Sequence, residues 1–203
     1  MNLTLKKSEL LAALQCAATK DIRYYLNGVN VAFTPTAEGA KITLIGTDGH
    51  ILFCGVTEAN LPDGEMPEAF SMIIPRDTVK VACKGARPDT VSLVCAGGGA
   101  YSLGNMLFTP IDGKFHDFTR VIPAKCDGET AQFNPELLVR GYDALRLWAG
   151  TDRLYPRLHH NGNSAAVMTV QGAVVVVMPM RSDGEEDFAG FSLPVAIEQR
   201  KAA

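Results

Sequence analysis

The sequence has few of the features that announce chemistry. Its cysteines, Cys16, Cys54, Cys83, Cys95 and Cys126, are odd in number and contain no Cys-x-x-Cys pair. That fits neither a disulfide framework nor a zinc site, and suits small buried apolar residues. The longest apolar run, Ala173 to Met180, has eight residues and includes Pro179, far short of the roughly 20 a membrane-crossing helix needs. Lys6, Lys7 and Glu9 stand where a secretory signal would place its apolar stretch. The expectation is a cytoplasmic protein with no membrane partner. Bulk positive charge is also missing. A net charge of −3 excludes a protein that coats DNA by overall charge, but leaves room for a local basic patch.

Catalytic signatures are absent as well. No Gly-x-Ser-x-Gly or His-Glu-x-x-His occurs. Gly97-Gly98-Gly99 and Gly104 are not followed by Gly-Lys-Ser/Thr, which favours a hairpin turn over a phosphate loop. His159-His160 falls in an expected strand, where the two side chains point to opposite faces and cannot easily share a metal. Asp48-Gly49-His50 reads as a turn before it reads as an acid–base pair. The expectation is a non-enzyme without catalytic residues, metal or cofactor.

What is present is an ordinary globular composition. Of 203 residues, 47% are hydrophobic and 20% charged, enough to bury a core in one domain or two small ones. Within it a pattern recurs three times: a short strand, a helix, then about three strands. The first copy opens with Leu3–Leu5. A helix follows from Ser8, a plausible N-cap, to Thr19, then strands over Val29–Phe33, Ile42–Gly46 and Ile51–Val56. Asp48-Gly49 is a strong hairpin signal. The second copy has Phe70–Ile74, a helix from Pro75 to Lys84, and strands over Thr90–Cys95, Ala100–Leu103 and Met106–Pro110. The third has Thr130–Phe133, a helix capped by Asn134 with Pro135 at its first position, and strands over Tyr155–His159, Ala165–Val170 and Val174–Met178. Such units cannot bury their apolar faces alone, so neighbours must stack. The prediction is an α+β fold with helices on one face of antiparallel sheets.

One basic pattern stands out. Arg76, Lys80, Lys84 and Arg87 share a helical face opposite Val79 and Cys83. Such a stripe can attract phosphates without reading sequence, although spacing alone favours a solvated face.

The strings DIRYYLNG (21–28), TDGHIL (47–52), FSMIIPR (70–76), DGKFHDFTRVIP (112–123) and VVVMPMR (175–181) resemble the bacterial sliding clamp, the beta subunit of DNA polymerase III. The first four match its middle domain in order and spacing, and the last its C-terminal end. The family carries three domains of two units each. This chain resembles a middle domain (1–123) joined to the second half of a last domain (124–181), with an acidic and apolar tail over 182–203.

The resemblance implies the DNA-clamp fold and a ring around duplex DNA, lined by helices. It also implies a cleft that binds short peptides of polymerases and repair proteins, and possible loading by a clamp loader. It would place Leu26, Thr47, Gly49, His50, Leu52, Arg120 and Val121 in that cleft. Asn134, Leu137, Val176, Val177, Met178, Pro179, Met180 and Arg181 would join them from the third unit. It would place Arg23, Tyr24, Tyr25 and the Arg76/Lys80/Lys84/Arg87 stripe near DNA. Arg140 and Arg146 of the third helix do not share a face. Two positions depart from the family: Ile51 stands for its usual arginine and His116 for its usual proline. The family ring has twelve units, so four chains of three would complete it, and a homo-oligomer, tetrameric by preference, is expected. An adaptor or decoy that binds the peptides without encircling DNA is the alternative. Phe191–Val195 loosely resembles the clamp-binding peptide itself.

Overall fold

The structure is a computed structural model that describes residues 2–37, 39–59, 61, 66–85, 87–115 and 117–181. The acidic run after Arg181 and the Phe191–Val195 segment therefore lie outside the described residues, as does His116.

Three units follow one another. Unit one comprises β1 (Asn2–Lys6), α1 (Lys7–Cys16), a 3-10 turn (Tyr24–Leu26), β2 (Gly28–Thr36), β3 (Gly39–Thr47) and β4 (Ile51–Glu58). Unit two comprises β5 (Phe70–Pro75), α2 (Arg76–Ala82), β6 (Thr90–Gly97), β7 (Ala100–Leu103) and β8 (Met106–Phe108). A second 3-10 turn (Phe118–Val121) precedes unit three, with α3 (Pro135–Ala149), β9 (Ala166–Val170) and β10 (Ala173–Val177).

Units one and two exchange their first strands. β1 joins the sheet β1-β6-β7-β8, and β5 joins the sheet β5-β2-β3-β4-β10-β9. Unit three extends the sheet of unit one, with Val176 opposite Leu52 and every pairing antiparallel. The helices pack on one face of this six-stranded sheet, α1 against both β3 and α3.

Strand periodicity explains where the core sits. Side chains alternate across a sheet. Ile51, Phe53, Val175 and Val177 bury themselves under the helices, while Leu52, Cys54 and Val176 form a separate cluster with Ile45 on the other face. The valine run of β10 is thus buried on both sides, which is why it shows no polar alternation.

The structure corrects several expected boundaries. α1 begins at Lys7 rather than Ser8 and has no side-chain cap. β1 runs straight into the helix, and the Lys7 N–H is satisfied by the Asp89 carbonyl at 2.9 Å instead. α1 stops at Cys16, and α2 stops at Ala82, where the chain turns at the buried Cys83. The expected strand over Tyr155–His159 reduces to one bridge, His159 to Val167, because Pro156 has no N–H to give to a ladder. Thr130–Phe133 lies outside both sheets; Gln132 O accepts from Met180 N and Phe133 packs on the main core instead. No described helix is long and apolar enough to cross a membrane.

Candidate peptide-binding cleft and basic face

On the sheet face away from the helices, β3, β4 and β10 leave an apolar depression enclosing about 220 Å³. Leu26, Thr47, Leu52 and Val176 form its buried floor, and Ile51, whose side chain lies in the helix-side core, borders it. Phe115, Asp117, Phe118 and Val121 wall one side, and Arg23, Gly49, His50 and Met178 also line it. Val121 and Met178 remain 47% and 41% exposed, so two flexible or branched apolar groups stand ready to cover a ligand. Beneath, Phe115, Phe118 and Ile122 pack on the Ile45/Leu52/Cys54/Val176 cluster. Burial pushes the Cys54 thiol up to about 11, so this sulfur acts as an apolar filler.

A polar frame holds the Thr47–Ile51 turn. Thr47 Oγ1 donates to Ile51 O at 2.7 Å and accepts from Gly49 N. Asp48 Oδ1 accepts from the backbone of His50 and Ile51. Asp48 is thus a turn cap rather than a partner of the His50 ring. Gly49 has φ +93°, a conformation that favours glycine; a Cβ there would also press on the end of the Arg23 side chain, 2.9 Å from Nη2. Arg23 donates to Asp48 O at 3.2 Å and is gripped by Asp21 at 2.8 Å. The side-chain hydrogen bond from Arg23 holds the Asp21 carboxyl down at about 2. Met178 N donates to His50 O at 2.9 Å, pinning the end of β10 to the turn.

Of the cleft residues expected from sequence, eight converge on the depression: Leu26, Thr47, Gly49, His50, Leu52, Val121, Val176 and Met178. Val177 does not. Its parity within β10 turns it into the helix-side core, where it is fully buried. Asn134 caps α3 by accepting from Glu136 N at 2.9 Å, and Leu137 packs on the main core. Arg120, Pro179, Met180 and Arg181 do not line it; Met180 N donates instead to Gln132 O. Ile51, expected only as a departure from the family that touches the cleft, also lines it; Phe115, Asp117 and Phe118 were missed, and Arg23 was assigned to DNA. The paired phenylalanines in the polar stretch Lys114–Thr119 were the available signal.

The basic stripe is divided. Arg76 Nη1 donates to the carbonyls of Leu14 and Ala17, each at 3.0 Å. It caps the C-terminus of α1 rather than projecting freely. Burial lowers its pKa from the ordinary arginine value. Lys80 sits on α2, while Lys84 and Arg87 lie beyond the helix end, so no continuous helical face carries all four. These three are exposed and, among the described residues, make no ion pair. Tyr24 and Tyr25 meet edge-to-face with ring centroids 6.0 Å apart, and Tyr24 is 56% exposed.

Part of the chain is similar in sequence to known proteins. No protein-family profile matches the chain. The beta sliding clamp of Escherichia coli K12 is 31% identical over 116 residues, covering 54% of this chain and 29% of that one. The beta sliding clamp of Salmonella typhimurium LT2 is 33% identical over 118 residues, again 54% of this chain and 29% of that one. Over this stretch the chain is similar to the bacterial beta sliding clamps. It spans about 29% of the length of the curated clamps it matches.

Solved clamps show the shared fold over more of the chain. The Pseudomonas aeruginosa DNA polymerase sliding clamp superposes with a TM-score of 0.65 at 18% identity, covering 90% of this chain and 67% of that one. The Caulobacter crescentus pol III beta protein gives 0.60 at 19% identity, covering 89% and 66%. The fold of the chain is thus the sliding-clamp fold, with antiparallel sheets and few helices.

Proposed function

We propose that the chain is a sliding-clamp-like processivity factor of DNA replication or repair, working in the cytoplasm and catalysing no reaction. It binds linear peptides of DNA polymerases and repair proteins in the depression, and encircles duplex DNA as a homo-oligomeric ring without reading sequence. Residues 1–123 act as one clamp domain, 124–181 as half of another, and 182–203 as a tail.

One observation carries this reading. Eight residues drawn from distant strings converge on a single apolar cavity, at the junction of units one and three. Leu, Val and Met side chains suit a groove that repacks around different apolar anchors. A few such anchors supply most of the affinity of a linear peptide. Lys80, Lys84 and Arg87 are free to meet phosphates, and topological enclosure makes weak, sequence-blind contacts sufficient. Four chains of three units would supply the twelve units of a closed ring.

Retention on DNA tests the ring. The protein is loaded on a nicked circular duplex, with a clamp loader if needed, and washed at high salt. The expectation is retention on the circle and rapid loss once the duplex is linearised. Peptide binding without any retention would instead favour the adaptor that works off DNA.

A further inference from the structure

The cavity has a neighbour on the same face of the sheet. Val29, Val31 and Phe33 of β2, with Met72 and Ile74 of β5, point into the helix-side core. Strand alternation therefore sends Asn30, Ala32, Ser71 and Ile73 to the opposite face. There they floor a groove of about 600 Å³, within the range of about 300–1,000 Å³ common to ligand sites. Phe115 and Phe118 line both the groove and the cavity, so the two depressions adjoin across these two rings.

One floor residue is out of character. Cross-strand register sets Ile73, Asn30, Ile45, Cys54 and Val174 in one row across β5, β2, β3, β4 and β10. Asn30 alone in this row carries a strongly polar side chain, and it is only 3% exposed. Asparagine is a poor strand former, and a buried amide destabilises unless its hydrogen bonds are made. Asn30 Oδ1 accepts from Ser71 Oγ at 2.9 Å. Its NH2 group, with two donors, has no partner among the described residues, and Asn30 opens onto the groove.

The strand beside Asn30 has a free edge. β5 is the outermost strand of its sheet. Ile73 O accepts from Ile111 N at 2.9 Å, so Ile73 turns its backbone groups away from β2. Ser71, two residues earlier, does the same. No described backbone group pairs with Ser71 on that side, and the residue is exposed. A chain laid along this edge would meet an N–H and a C=O at Ser71, with the Asn30 amide alongside. The groove is also lined by Asp112 and Lys114, one charge of each sign, which does not select a highly charged ligand.

We propose that the groove binds an extended flank of the same partner peptide whose anchors fill the cavity. The flank adds to β5 at Ser71, and one of its carbonyls accepts from the Asn30 NH2 group. An apolar side chain of the flank packs on the rings of Tyr101 and Phe118, which line the groove. Main-chain bonds give such a strand affinity with little sequence requirement. Occupying both depressions with one chain makes the second contact intramolecular, which raises the overall affinity. The proposal rests on reading the cavity as a peptide site, and specifies what the partner carries: an uncharged, extended stretch beside its anchors.

Titration of the full chain with fluorescent peptides tests it. One peptide carries a clamp-binding motif alone. Two others extend it, at the N-terminus or the C-terminus, by about six residues of alternating valine and threonine, roughly 20 Å of strand. The expected result is that one extended peptide binds about tenfold tighter than the short one and protects the Ser71 amide from hydrogen exchange. Asn30→Leu puts an apolar side chain into the row. Ser71→Pro removes an N–H that the fold itself does not use, as an edge strand tolerates, and carries the comparison alone if Asn30→Leu fails to fold. Each variant should abolish the gain and leave the affinity of the short peptide unchanged. Binding of the short peptide with no gain from either extension overturns the groove and leaves the cavity standing. A gain that the folded variants retain overturns it equally. If no peptide binds, the reading of the cavity fails, and the proposal fails with it.

Discussion

The guanidinium of Arg140 in α3 lies 2.7 Å from the carboxylate of Asp48, in the turn that edges the cavity. The same side chain donates to Gln15 O at the end of α1, at 3.0 Å. One residue of unit three thus fixes both a helix end and a cavity edge of unit one. The cavity is a property of the junction between units, not of either alone.

Arg140→Ala should therefore loosen both. The two side chains are 31% and 18% exposed, so solvent screening reduces the effect. A stability loss of about 1–2 kcal/mol is expected from the lost charged hydrogen bonds, with peptide affinity falling several-fold. Urea unfolding measures the first and a binding titration the second. An unchanged unfolding midpoint would count against the tie.

Gly46 marks the closest approach of helix to sheet. A Cβ there would run into the Ala13 carbonyl oxygen of α1. Because the obstacle is backbone, no side-chain rotation relieves it. Gly46→Ala is expected to cost about 3 kcal/mol, seen as a lower thermal midpoint. A stable alanine variant would mean that α1 can ride up from β3.

Arg76 should separate in behaviour from the other three members of the basic patch. Replacing Lys80, Lys84 and Arg87 together by alanine should weaken DNA binding and reduce the slope of log affinity against log salt by about 2–3, with stability unchanged. Arg76→Ala should do the reverse. Freeing the Leu14 and Ala17 carbonyls from their partner is expected to cost about 1–3 kcal/mol, with little change in salt slope. Equal effects of both changes on the slope would put Arg76 on the DNA side after all.

Asp21 supplies a pH test. Its folded pKa, about 2, is held down first by the side-chain hydrogen bond from Arg23. A depressed carboxylate stabilises the fold fully above its unfolded value, about 3.9. That contribution fades as pH falls through the folded value. The Asp21–Arg23 clasp should accordingly persist to about pH 2, with the loss confined to the window between those values. Carboxyl chemical shifts report this directly, and a midpoint near 4 would show the clasp does not form.

The fold was largely legible in sequence where local signals and tertiary need agreed. Asn134-Pro135 gave the start of α3, and Asp48-Gly49 the turn between β3 and β4. It was misread where one unit satisfies another. α1 has no capping side chain because Asp89 of unit two supplies the acceptor. Arg76 looked like one of four solvent cations because nothing in its spacing reveals carbonyls 59 and 62 residues away. In the cavity, the resemblance supplied residues that alternation then sorted. Val176 faces the depression and Val177 faces the helices, a distinction that needs the strand register. Phe115 and Phe118 escaped notice because they sit in an irregular stretch with no period to read.

The most direct test of the account is peptide binding to the depression. A fluorescent peptide carrying a clamp-binding motif is titrated with the full chain and with Met178→Asp, a partly exposed position that belongs to neither buried cluster. The account predicts saturable binding by the wild type, and a loss of about tenfold or more in the variant with the fold intact. Absence of binding by a folded wild type, or equal binding by both proteins, would contradict it.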